Sequence, residues 1–252
     1  MKKLTTALMT CTLCMVSMLC FNSCNNEPDM AITPINGDLH YGDTIILSVT
    51  GAPADAQVTY TISDEYTALL SNDTLIAWHI GEATITATAG GKTATLNITV
   101  TPLYTMATEP LMEWNISLDT LKARKGEPTQ SYVKDGTGSV IYLQSQNLYE
   151  AYSFQKDALI ASGLQVQNLT EEVYSSYIYF LLERYVYVQV QGGKDNAYYF
   201  VNALSAEDVT IMIEASLGQQ NQVTYLTIQY VPYTASSSQA PALAPIKHQI
   251  FQ

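Results

Sequence analysis

The sequence predicts a small β-sandwich followed by an α+β domain with helices packed on an antiparallel sheet, both behind an export signal. Residues 32–102 alternate apolar and polar side chains in short runs separated by turn pairs, as strands with one buried face do. Residues 103–233 mix strand-like runs with two stretches that start and repeat like helices. The first 24 residues are basic, then apolar, then small, the order of a secretory signal.

Within that leader, Lys2 and Lys3 precede the uncharged run from Leu4 to Phe21. Its four threonines and three cysteines weaken it as a permanent membrane span. The run closes on Phe21-Asn22-Ser23-Cys24, which resembles the lipobox of bacterial lipoproteins. The resemblance implies a lipid on the Cys24 thiol and a cut just before it, placing the protein on the outer membrane. Ser23 fits the small residue expected before the cut; Phe21 and Asn22 are looser matches. The alternative is an ordinary secretory signal with a chance cysteine.

Cysteine usage supports the anchor independently. Cys11, Cys14, Cys20 and Cys24 are the only cysteines, so nothing after Cys24 can pair with it. An exported chain without disulfides relies on its apolar core alone. Removing Lys2 and Lys3 from the 11 basic residues leaves 9 against 23 acidic ones, a formal charge of −14. Such a surface repels nucleic acid and anionic headgroups. Beyond Cys24 no stretch of sequence is long and apolar enough to span a bilayer.

The expected divisions are a signal over 1–23, a tether over 24–31, a sandwich over 32–102, a second domain over 103–233 and a disordered tail over 234–252. Glu27 and Asp29 make the tether acidic, which resembles surface-export signals of Bacteroidetes lipoproteins. A solvated linker explains the same charges.

Strands of the first domain follow from alternation. Ile45, Leu47 and Val49 follow the Gly42-Asp43 turn, and Val58, Tyr60 and Ile62 alternate with Thr59 and Thr61. Asn72-Asp73 and Gly90-Gly91 read as hairpin turns. Between and after them, Ala83, Ile85 and Ala87 oppose Thr84, Thr86 and Thr88, and Ala94, Leu96, Ile98 and Val100 oppose Thr93, Thr95, Asn97 and Thr99. Gly42-Asp43-Thr44, Tyr60-Thr61-Ile62-Ser63-Asp64, Asp73-Thr74-Leu75-Ile76-Ala77, Gly81 to Ala87 and Ile98-Thr99-Val100 are together similar to the group 2 bacterial Ig-like domain (BIG2). The resemblance implies an Ig-like fold and a spacer or adhesive role, without identifying a ligand. Trp78-His79 is bulkier than that pattern expects.

In the second domain, Ser117 reads as an N-cap, with Ile116 and Leu121 as a staple and Gly126 and Pro128 as the stop. Thr170 caps a second helix, whose Glu171 and Glu172 suit its first turn. Val173, Tyr177, Phe180, Leu181 and Arg184 fall at helical spacing. Strands are expected at 139–143, 151–155, 159–166, 185–191, 197–203, 209–215 and 223–231. Helix and three strands, then helix and four, suggest a weak αβββ duplication. The stretch from Ser117 to Leu121, running to Gly126-Glu127-Pro128, resembles the helix and turn of SmpA/OmlA outer-membrane lipoproteins. That resemblance implies a helix-plus-sheet architecture.

Chemistry is sparse. His40, His79 and His248 have neither the spacing nor the cysteine partners of a zinc site. Phosphate loops and nucleophile elbows are missing from the sequence. Asp64-Glu65 and Glu171-Glu172 read as loop and helix-start charges, and Asp64, Glu65 and Asp73 do not make a calcium loop. No catalytic, cofactor or metal residue is therefore expected, although two carboxylates across a cleft would escape sequence reading. Tyrosine is the suggestive feature, with 15 of 18 after Pro102. If Val186, Val188 and Val190 face a core, Tyr185 and Tyr187 face the other way. Tyrosine suits protein or sugar contacts; cross-strand packing is the competing and favoured explanation. Trp114 is expected in the core. Ile250-Phe251 reads as a frayed end or a short docking motif.

These readings favour a non-catalytic, lipid-anchored envelope protein that binds protein or glycan. A periplasm-facing structural or assembly lipoprotein is the alternative, and a hydrolase with an unrecognised carboxylate site the third.

Overall fold

The computed structural model describes residues 28–190, 193–194 and 196–233. Cys24, the leader, His248 and Ile250-Phe251 lie outside the described residues, so the anchor and tail expectations fall there.

The first unit is built of antiparallel strands: β1 (Ala31–Ile32), β2 (Thr44–Ile46), β3 (Val49–Thr50), β4 (Thr59–Ile62), β5 (Ala68–Ser71), β6 (Thr74–Ala77), β7 (Gly81–Ala89) and β8 (Lys92–Val100). They form three small sheets, ordered β1-β3, β2-β6-β5 and β4-β7-β8. One core joins them, with Leu75, Ile85, Ala87 and Val100 buried within it. The alternation explains this directly: Ala83, Ile85, Ala87 and Ala89 of β7 point in, while the intervening threonines are more exposed. Asn72 opens the β5–β6 hairpin at φ 55°, a conformation asparagine tolerates well.

The second unit holds α1 (Leu118–Lys125), β9 (Gln130–Ser131), β10 (Gly138–Ser145), β11 (Leu148–Gln155), β12 (Ala158–Gln167), α2 (Glu171–Leu182), β13 (Val186–Val188), β14 (Ala197–Val201), β15 (Ile211–Gln220) and β16 (Val223–Pro232). All eight strands join one sheet in the order β13-β14-β15-β16-β12-β11-β10-β9. A single rung runs Val140, Tyr152, Ser162, Tyr230, Ile213, Phe200, Tyr187 from β10 to β13.

Here the expected fold class is corrected. The described chain is dominated by antiparallel β-sheet, and its two helices span only 8 and 12 residues. A large helix-packed α+β domain is not what residues 103–233 build. The αβββ halves are not separate either, because β12 pairs with β16 and fuses both sets of strands. The physical reason is edge satisfaction. Each half alone would leave a long strand edge with unpaired N–H and C=O groups, and pairing the two edges removes both.

The helices form where the caps indicated. Ser117 accepts the Thr120 N–H at 3.2 Å and Thr170 accepts the Val173 N–H at 3.2 Å. Leu121 is the one buried residue of α1, whereas Tyr177, Phe180 and Leu181 of α2 are buried on the sheet. Gly163 lets β12 and β16 lie close together: a Cβ there would sit 2.6 Å from the Ile228 carbonyl oxygen.

Candidate functional site

The tyrosines of the second unit divide between core and surface. Tyr152 and Tyr230 are wholly buried. On β13, Val186 and Val188 pack with Tyr199, Val201 and Val209 against Tyr66 of the first unit. Tyr187 therefore emerges on the opposite face, 44% exposed, beside Tyr198 of β14 at 40%. Tyr185 sits outside the strand and is buried. The ring centroids of Tyr187 and Tyr198 lie 6.0 Å apart, and Tyr174 of α2 lies 6.4 Å from Tyr198. Burial and the nearby Tyr198 hydroxyl push the Tyr174 phenol up to about 12. β13 is also the outer strand of the sheet. This end of the molecule thus offers three rings with polar tips beside the sheet's outermost described strand.

A second feature lies where the two units meet. The Glu183 carboxylate, wholly buried, accepts the Leu103 N–H at 2.9 Å, the Tyr104 N–H at 3.2 Å and the Arg184 guanidinium at 2.5 Å. Its backbone carbonyl accepts the Ile80 N–H at 2.8 Å. Glu109 lies 3.8 Å from Arg184 Nε and accepts the Tyr185 hydroxyl at 2.6 Å. Burial first, then Glu109, holds the Tyr185 phenol far above its ordinary value. Burial first, then the Glu109 charge, also pushes Tyr230 well up, yet the buried Tyr230 hydroxyl makes no well-formed hydrogen bond.

His79 belongs to the same junction. It is wholly buried and stacked between Tyr66 at 4.2 Å and Trp78 at 4.7 Å. Its Nδ1–H donates to the Tyr66 carbonyl at 2.7 Å, while Nε2, near the Tyr185 backbone, makes no well-formed hydrogen bond. Burial lowers its pKa to about 4, so the ring is neutral at pH 7. The bulky Trp78-His79 pair is thus a packing device. His40, by contrast, bonds the Thr101 carbonyl at 3.0 Å on the first unit.

A third feature is Glu150 of β11, 4% exposed. It pairs with Lys125 at 2.8 Å and accepts the Tyr152 hydroxyl at 2.5 Å and the Gln144 amide at 2.8 Å. Among the described residues no three His, Cys, Asp or Glu side chains gather as a metal site. Asp64 instead accepts the Tyr66 N–H and the Thr67 hydroxyl. Glu171 and Glu172 stand exposed at the start of α2. Trp114 is half-buried and packs against the apolar clusters under both helices.

Sequence reading singled out neither Glu150, Glu183 nor Glu109. For Glu150 a signal existed: it occupies an inward position between Leu148 and Tyr152, where a charge needs a partner. Glu183 reaches Leu103 and Tyr104, and Glu109 reaches Arg184 and Tyr185, only through tertiary contacts. No family model and no curated protein matches this chain. No helix among the described residues is long and apolar enough to cross a membrane.

Proposed function

We propose that the protein is lipid-anchored at Cys24 on the outer membrane and that its first unit holds the second at a set distance for binding protein or glycan. The observation that supports this reading is the exposed pairing of Tyr187 with Tyr198 on the outermost described strands of the sheet. Large aromatic rings with polar tips recur at binding surfaces because they bury much area at small entropic cost. A strongly acidic chain favours neutral or basic ligands over nucleic acid.

Among the described residues the two buried carboxylates, Glu183 and Glu150, are held by N–H groups and cations of the fold itself, which supports a binding role over hydrolysis. The buried junction at Glu183 favours a second reading, a structural lipoprotein facing the periplasm, because it resists movement between units.

Glycan and protein arrays probed with the soluble form test the first reading, with Tyr187→Ala/Tyr198→Ala as control. Protease shaving of intact cells separates surface from periplasm. Palmitate labelling of the wild type but not of Cys24→Ala is the expected result for the anchor. An unlabelled wild type would overturn it.

A further inference from the structure

Lys125, the last residue of α1, sits in a box that the sheet builds for it. Its ammonium lies 2.8 Å from the Glu150 carboxylate. It also lies 5.6 Å from the Tyr142 ring centroid and 5.7 Å from that of Tyr152. The two rings stand at 87° to each other, 5.7 Å apart, as perpendicular walls. Tyr142 and Glu150 are register partners, and Tyr152 follows Glu150 by two, so all three share one face of the sheet. The Tyr152 hydroxyl and the Gln144 amide hold the carboxylate in place.

We propose that this box is a primary-ammonium site closed by the chain's own Lys125, and that an external ammonium group, as on a lysine side chain, exchanges with it. One oriented carboxylate accepts a primary ammonium's N–H, and the two aromatic faces add attraction for its charge. Stability alone does not account for the arrangement, since apolar residues of similar volume usually serve a buried position as well as an ion pair does. The helix itself stays in place, since Arg124 pairs with Glu113 and the Tyr142 hydroxyl donates to the Gly126 carbonyl at 3.0 Å; exchange needs only the Lys125 side chain to swing out. The Lys125 side chain remains 27% exposed, so the box opens to solvent on that side.

The test is a titration of the full chain with n-propylammonium, followed by calorimetry and by the Tyr142 and Tyr152 ring resonances. Lys125→Ala should bind it saturably. The wild type should bind it about ten-fold or more weakly, because tethered Lys125 competes at a high effective concentration. Glu150→Gln in the Lys125→Ala background should abolish binding, and 1-propanol should not bind. Nα-acetyl-lysine amide and glucosamine then distinguish a peptide from a sugar source of the same group. An equal response to 1-propanol, or no saturable binding by Lys125→Ala, overturns the proposal. So does a wild type that stays indifferent at about a hundred times the half-saturating concentration of the variant. Should Lys125→Ala not fold, Lys125→Ser takes its place in the same titration, with the same outcomes deciding.

Discussion

The Tyr66 hydroxyl donates a 2.6 Å hydrogen bond to the Arg184 carbonyl, joining positions 118 residues apart. With the Ile80 N–H on the Glu183 carbonyl, it ties the loops of the first unit to the end of α2. Burial, more than the charges of Glu109 and Asp64, holds the Tyr66 phenol well above its usual range. Tyr66→Phe keeps the ring on His79 and removes only the donor. The expected loss is about 1 kcal/mol of unfolding free energy, read by urea denaturation.

Glu183 carries more. Replacing it with alanine leaves Arg184 short of a carboxylate and frees the Leu103 and Tyr104 N–H groups. Breaking a buried pair by removing one partner costs about 3–5 kcal/mol. Hydrogen exchange should accelerate most at Leu103 and Tyr104, because both amides donate to this carboxylate.

His79 makes the junction acid-sensitive. Its folded pKa, about 4, lies below the unfolded value of 6.5. The unfolded chain therefore binds the proton first, so stability is intact above pH 6.5 and falls as pH drops toward 4. The full contribution is about 3 kcal/mol. Denaturation midpoints between pH 7 and 4 should slope steeply for the wild type and less for His79→Gln.

Gly163→Ala should weaken the seam where β12 meets β16. The new methyl would press on the Ile228 carbonyl, and overpacking of this kind costs about 1–3 kcal/mol. Thermal melting of the variant checks it; an unchanged midpoint would mean that the seam can spread.

Tyr187→Ala/Tyr198→Ala should leave the melting temperature nearly unchanged, since both rings are substantially exposed. Affinity for any ligand found on the arrays should drop about ten-fold or more if these rings anchor it. Full retention of binding would move the site elsewhere.

Local chemistry by itself determined the hairpin at Asn72-Asp73, the alternation of β7 and β8, and the caps Ser117 and Thr170, because each depends on residues within one turn or one strand. Alternation also foretold that Tyr187 would oppose Val186 and Val188. Tertiary structure decided the rest: that β16 pairs with β12 to make one sheet, that Glu183 closes the junction, and that Lys125 fills a box made by Tyr142, Glu150 and Tyr152. Those outcomes turn on which distant edges and charges satisfy one another. Hydrogen-bond and ion-pair partners far apart along the chain leave no periodic trace in it.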